Sequence, residues 1–170
     1  EESYTWIRAA SAAVKLGGYL VEIESKEEQA AIWQGILDSD LSLTYTQVPD
    51  GGDIAYLWIG ARDPGSENEG NWIWDGQNQG GYFVPFWYGN QRGHAEPGCY
   101  FNWGGKSSLR LNEPDNYTDP ILSPNGQNAA AIGLTSWPAG SEEPLGVAGE
   151  WNDLNNLNKL YFIVEFDTKK

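Results

Sequence analysis

The sequence predicts an α+β domain, on three observations. Two segments near the start carry apolar residues at helical spacing. Everything after residue 55 lacks that period and instead shows short aromatic and aliphatic runs bounded by turn residues. Between those runs, residues 75 to 128 form a Gly-, Asn-, Asp- and Pro-rich stretch too long for an ordinary connection. Long loops on a rigid scaffold carry function, so the site is expected there.

From Tyr4 to Leu16, Trp6, Ala9, Ala10, Ala13 and Leu16 recur on one helical face, and Gly17-Gly18 stops the pattern as a C-terminal cap does. Tyr19 to Ile23 alternates like a short strand. Ser25-Lys26-Glu27-Glu28 has the capping-box form, so a second helix starts there, buries Ile32, Trp33, Ile36 and Leu37, and ends near Asp38. Residues 39 to 55 read as a loop. Strands are expected at Tyr56–Gly60, Asn71–Trp74, Ala129–Leu134 and Leu160–Phe166. On these strands or beside them Trp58, Trp72, Trp74, Trp103 and Trp151 read as core, while Trp87, Tyr88 and Tyr117 fall in loops where they can stack on a ligand.

At 170 residues the chain is expected to be one domain, residues 1 to 170, large enough to bury a core. It begins at Glu1 and has no Met, so we expect it to be a piece of a larger multidomain protein. With 9 Trp, 9 Tyr and 5 Phe it is no disordered acidic tail, despite a net charge of -14. That charge argues against nucleic acid or an anionic membrane as partner and suits divalent cations. No apolar run is long enough to span a membrane and no signal peptide is evident. Cys99 is the one cysteine, which excludes an internal disulfide; it reads as a small buried hydrophobe, and His94 as a solvated side chain.

Two oxygen-rich clusters stand out: Asn112-Glu113-Pro114-Asp115-Asn116 and Glu150-Trp151-Asn152-Asp153, with no basic residue between Asn112 and Asn158. Hard oxygen donors without thiolate or imidazole suit Ca²⁺ rather than zinc or a redox metal.

The order of motifs resembles the C-type lectin-like domain family along nearly the whole chain. The resemblance is carried by Thr5-Trp6, Gly17-Gly18-Tyr19-Leu20-Val21, Ser25 with Glu27-Glu28-Gln29, Trp58-Ile59-Gly60 and Asn71-Trp72-Ile73-Trp74-Asp75-Gly76. It continues through Tyr100-Phe101-Asn102-Trp103, Glu113-Pro114-Asp115-Asn116, Trp151-Asn152-Asp153 and Tyr161-Phe162-Ile163-Val164-Glu165-Phe166. It implies a double-looped fold in which the terminal strands pair, two helices flank them, and a long loop region holds calcium and sugar. The family's two disulfides are missing: the matching positions are Ala13, Val164, Ala129 and Asn156. Replacing both partners of each pair leaves a core that packs by hydrophobic burial. Such cysteine-poor forms resemble ligand-binding modules of bacterial RTX-type adhesins. A further departure is the long stretch Gln77 to Gly98, expected to form a lid or an added wall.

Carried over residue by residue, the resemblance assigns calcium to Glu113, Asp115, Gln127, Asn152 and Asp153, with a cis peptide before Pro114. Gln127 is placed by counting back from Ala129. A sugar hydroxyl on calcium sits best between a carboxylate that accepts and an amide that donates. Pairing Glu113 with Asn152 and Asp115 with Gln127 gives one acid and one amide per hydroxyl, which implies a vicinal diol of mannose, fucose or glucose type, with Tyr117 and Trp87 beside it. Asp63, Glu67, Glu69, Asn116 and Asn128 fall close to the family's positions for an auxiliary second calcium, with ligands poorer in charge than the family's. The implied function is a non-enzymatic, calcium-dependent carbohydrate-binding module of an extracellular bacterial surface adhesin, with cell-surface glycans as partners. Alternatives are calcium-dependent binding of a protein or peptide carboxylate, an ice-binding or structural role, and a hydrolase using Glu113 and Asp115. Calcium argues against the last, because it keeps both acids ionised.

Overall fold

The structure, a computed structural model, describes residues 2–41, 46–65, 69–81, 83–105 and 110–167. Helix α1 runs over Trp6–Lys15 and buries Trp6, Ala9, Ala10 and Ala13. Three alanines on one face let the helix lie close against the sheet, and Trp6 fixes it by donating its Nε1–H to the Ile59 carbonyl at 2.8 Å. Gly17 then turns at φ 91°, a left-handed conformation, and the Gly18 N–H closes the end on the Ala13 carbonyl at 3.1 Å. Leu16, expected on the buried face, caps the helix and is 63% exposed. The turn has already carried the chain away from the core at that point.

Helix α2, Lys26–Leu37, starts as its capping box predicts: Ser25 Oγ accepts from Glu28 N at 3.1 Å. The return contact slips by one residue, because the Glu28 carboxylate takes the N–H of Glu24 rather than of Ser25. Its packing is looser than its apolar period implies. Only Gln29 is buried; Ile32, Trp33 and Ile36 are half-buried, and Leu37 is exposed. Gln29 anchors the helix through polar contacts instead, donating to the Gly149 carbonyl and accepting from Trp151 Nε1.

The strands are β1 Tyr19–Leu20, β2 Gln47–Val48, β3 Ile54–Arg62, β4 Asn71–Trp74, β5 Trp87–Tyr88 and β6 His94–Ala95. They continue with β7 Ala129–Gly133, β8 Trp151–Leu154, β9 Tyr161–Phe162 and β10 Val164–Glu165. The sheet order is β6-β5-β4-β3-β7-β8, with β2 and β9 also on β3, and β1 pairs β10 as a separate ribbon. Strand β3 is buried along all but its last residue, as a continuous apolar run at a sheet centre should be. Its register with β7 shifts between Trp58 and Arg62.

Four sequence expectations change. The loop at 39–55 contains β2 and a 3-10 turn, Pro49–Gly51, and β3 begins at Ile54. A two-residue strand paired to a neighbour across a turn leaves no periodicity to detect. The strand expected over Tyr19–Ile23 shortens to β1. The run Leu160–Phe166 is two strands, because the chain changes sheet at Ile163, whose N–H goes to the Trp58 carbonyl while its carbonyl receives Val21 N. The stretch from Gln77 to Gly98, expected as a lid or an added wall, contains strands as well as loop. It adds the β5–β6 hairpin to the edge strand β4, with Trp72 opposite Trp87.

The core has two parts. One gathers α1 residues with Leu20, Tyr56, Trp58, Ala129, Trp137 and Leu160; the other gathers Ile23, Ile59, Trp72, Phe86, Trp87, Trp103, Ile132 and Trp151. At the positions of the missing disulfides, Ala13 and Ala129 are fully buried in the first part, Val164 packs against it, and the Asn156 carbonyl receives Trp6 N. Trp74 is half-buried and stacks on Phe86.

Gly60 and Gly76 close on the backbone of Leu20 from two sides. A Cβ on Gly60 would stand 2.6 Å from the Leu20 carbonyl oxygen, and one on Gly76 2.1 Å from it. Gly60→Ala is therefore expected to push the terminal ribbon off β3 and cost about 1–3 kcal/mol, as overpacking does. A urea titration checks this; an unchanged midpoint contradicts the contact.

Candidate metal centre

Strand β8 presents Asn152 and Asp153, both buried. The turn after Glu113 wraps Asp153: its carboxylate accepts from Asp115 N at 3.1 Å and Asn116 N at 2.8 Å. The Glu113–Pro114 peptide is cis, as anticipated, and Asn116 adopts φ 52°, a left-handed value that Asn tolerates. A second cis peptide, Trp137–Pro138, carries no sequence signal that distinguishes it from a trans bond. The outcome is that carboxylate oxygens of Glu113, Asp115 and Asp153 lie within 4.8 Å of one another.

Glu113 is 2% exposed. Its Oε1 accepts from Trp137 Nε1 at 2.9 Å, and its Oε2 is buried with no hydrogen-bond partner. Burial above all, then the charges of Asp153 and Asp115, raises its pKa well above the ordinary carboxylate range. Burial and Asp115 raise Asp153 to about 8, and burial raises Asp115. The ion pair found among the described residues, Arg62 with Asp75 at 2.7 Å, involves none of the three. Three like charges in a buried pocket need either protons or a cation. The donors are all hard oxygens and one is orphaned, so the residues present fit Ca²⁺, with Glu113, Asp115, Asp153 and the amide of Asn152 to hold it. Calcium there would supply open coordination positions for a ligand's oxygens.

A cavity of about 200 Å³ opens over Glu113 and Asp115, lined also by Asp50, Tyr117, Gln127, Trp137, Pro138, Leu145 and Asn152. Gln127 thus lines the same cavity as Glu113 and Asp115, but its amide is committed to the protein. Its Oε1 accepts from Tyr117 N at 2.9 Å, and its Nε2 donates to the Asp50 backbone carbonyl at 2.9 Å and carboxylate at 3.2 Å. Asp50 was hidden in the segment read as a loop, and Trp137, Pro138 and Leu145 lie between β7 and β8, where the chain makes a hairpin-like excursion with Trp137 opposite Gly146. The sequence signals that could have pointed to that excursion are the Trp137-Pro138 pair and the glycines around it.

Tyr117 is 45% exposed beside the cavity. Trp87, expected as a stacking platform, is 2% exposed on β5, packs on Phe101 at 4.9 Å and donates Nε1 to the Gly89 carbonyl. It is core, because the sequence had concealed the β5–β6 hairpin. Tyr88 is half-buried and stacks on exposed His94. Cys99, expected inside, is exposed after a turn closed by Cys99 N on the Glu96 carbonyl.

Of the second calcium set, Glu67 lies outside the described residues. Asp63 accepts from Gly65 N and Gly70 N, and Glu69 Oε1 accepts from Asn116 Nδ2 at 2.8 Å. Asn116 Oδ1 is taken by Gln127 N, and Asn128 Oδ1 is buried without a partner. Burial raises both Asp63 and Glu69, which hydrogen-bond to each other. Among the described residues of the set, hydrogen bonds link Asp63, Glu69 and Asn116, which bring two carboxylates to this place. A second cavity, about 280 Å³, lies between Glu69, Gly89, Asn90, Pro114, Asn116 and Asp153, so the Gln77–Gly98 stretch walls the far side of the cis-proline turn.

The pH dependence of the metal-free protein follows with a definite sign. Acids raised in the folded state, to about 8 for Asp153, bind more protons folded than unfolded, where Asp and Glu titrate near ~4. Stability in EDTA is expected to be greatest near pH 4 to 5 and to decline as pH rises through that window, most steeply toward 8. Saturating Ca²⁺ should flatten or reverse the slope. Urea midpoints at several pH values check this; a midpoint that climbs with pH in EDTA contradicts it.

No family model matches the chain and no curated protein is significantly similar to it. Solved structures are. They include the human scavenger receptor C-type lectin carbohydrate-recognition domain, 24% identical over 98% of this chain and 86% of that one at a TM-score of 0.55. The cow CD23 carbohydrate-recognition domain, solved in the presence of a GlcNAc2Man3 oligosaccharide, is 22% identical over 99% and 85% at 0.55. Human lithostathine is 18% identical over 99% and 88% at 0.54. With the strand order, the two helices and the paired ends described above, these matches establish that the chain has the C-type lectin-like fold.

Proposed function

We propose that the domain is a calcium-dependent ligand-binding module of lectin type, acting in an extracellular, bacterial adhesin-like surface protein. The observation that carries this reading is a trio of acids, Glu113 and Asp153 buried and Asp115 partly exposed, with an orphaned oxygen on Glu113 and no ion-pair partner among the described residues; Glu113 and Asp115 line an open cavity. Asn152 lines it as well. Asp63, Glu69, Asn116 and Asn128 are the place for a second ion. Similar structures are carbohydrate-recognition domains, and the ligand in this reading is a vicinal diol of mannose, fucose or glucose type on a cell-surface glycan, bound without bond cleavage. The residues do three things: the acids hold the cation, they accept hydrogen bonds from hydroxyls that reach it, and Tyr117 offers an apolar face.

One observation favours a second ligand class. A diol needs an amide donor for each hydroxyl, and Gln127 Nε2 is committed to Asp50. A carboxylate ligand, such as a peptide C-terminus, would coordinate the cation through its own oxygens and has no hydroxyl that must be shared between an acid and an amide.

Glu113→Gln separates these possibilities from an ordinary acidic loop. Removing a buried like charge is expected to raise the melting temperature in EDTA while abolishing the rise that calcium produces in the wild type. For scale, a ligand at 100 times its Kd adds about 2.7 kcal/mol. With calcium present, a further rise with mannose or fucose but not galactose supports the diol. A rise with a free-carboxylate peptide, absent when the peptide is amidated, supports the second class. A wild type indifferent to calcium overturns the reading.

A further inference from the structure

Two of the side chains assigned to the cation are each held from behind by one buried aromatic residue. Trp137 donates its only N–H to Glu113 Oε1 at 2.9 Å, which leaves Oε2 as the unpartnered oxygen. Tyr56 donates its only proton to the Gly51 carbonyl at 2.7 Å. Its oxygen can then act only as an acceptor, and it takes Asn152 Nδ2 at 2.9 Å. The amide end of Asn152 is thereby fixed, and Oδ1 is left for the cavity that Asn152 lines. The two rings meet edge to face at 5.7 Å and 61°.

The slot around Trp137 is shaped for an indole. A Cβ on Gly104, Gly133 or Gly146 would stand 2.6, 2.6 or 2.1 Å from its ring atoms, and these glycines come from three separate segments. A bulky residue at any of them would displace the ring and with it the N–H that reaches Glu113.

Resting on the calcium reading above, we propose that Trp137 and Tyr56 are positioning residues for the cation. They determine which oxygen of Glu113 and which end of the Asn152 amide meet it. Neither residue is a ligand. Partners that orient ligand atoms in this way typically account for roughly 10–100-fold in metal affinity.

The test uses Trp137→Phe and Tyr56→Phe, which keep a ring in place and remove one donor or hydroxyl, with Ile54→Val as a control in the same buried cluster. Calcium affinity is read by competition against directly excited Tb³⁺, so that loss of an indole does not alter the signal. Each Phe variant is expected to bind calcium about 10–100-fold more weakly, and the control to match the wild type. The Tb³⁺ lifetime, compared in H₂O and D₂O, should report additional metal-bound water in both Phe variants, a change that packing loss alone does not produce. Should the variants fail to fold, the wild type serves: the Trp137 indole N–H resonance should shift on calcium addition, while that of Trp58, which donates to the Tyr4 carbonyl, stays put. Phe variants with wild-type affinity and lifetime, or an unmoved Trp137 resonance, overturn this proposal and leave the calcium reading standing. A wild type that binds neither ion overturns both.

Discussion

The constraint on which this molecule turns is the gathering of three carboxylates, two of them buried, within 4.8 Å of one another. Desolvation and like-charge repulsion both oppose it, so the surrounding backbone has to supply compensation at fixed points. Asp153 receives two N–H groups from the turn that carries Asp115 and Asn116, Asp115 receives Tyr117 N, and Glu113 receives an indole. None of those donors is a mobile side chain. The turn is locked to strand β8, which is locked to β7 and so to the buried β3 at the centre of the sheet. Rigidity near the site is therefore the condition under which the acids can be kept together, and their excess of negative charge is the feature on which the proposed cation site rests.

Much of this was legible in the chain itself, and the reasons differ by element. Helix α1, the Ser25 cap and β3 show themselves through spacing, because each contacts the core along a continuous face. The Glu113 and Asp153 clusters show themselves through chemistry: acids, amides and a proline without intervening cations. What stayed hidden is structure defined by distant partners. The two-residue strands β2, β5 and β6 have no period, so Trp87 read as a loop residue although it lies opposite Trp72. Leu37 and Leu16 obey the helical period yet face outward, because the period gives a direction and says nothing of how closely the next layer approaches. Counting back from Ala129 leads to Gln127, which lines the cavity, whereas its engagement by Asp50 depends on a 3-10 turn 77 residues earlier.

The excursion between β7 and β8 illustrates the same limit on the functional side. It supplies Trp137, Pro138 and Leu145 to the cavity wall, so the cavity is narrower and more apolar than the acidic motifs alone imply. Its one clear mark in the sequence is Trp-Pro among glycines, and those glycines matter because an indole fills the space their side chains would need.

The pairing of β1 with β10 joins Tyr19 to Glu165, and Tyr4 bridges Leu160. Contacts so far apart in sequence give the fold a high contact order, and chain closure of that span carries an entropy cost before any of its contacts forms. A chain emerging from a ribosome in order would hold α1 and its alanine face without their final strand partners until the last residues arrive. For this domain, the pairing of its end segments can be completed only after the residues that carry its chemistry have been made.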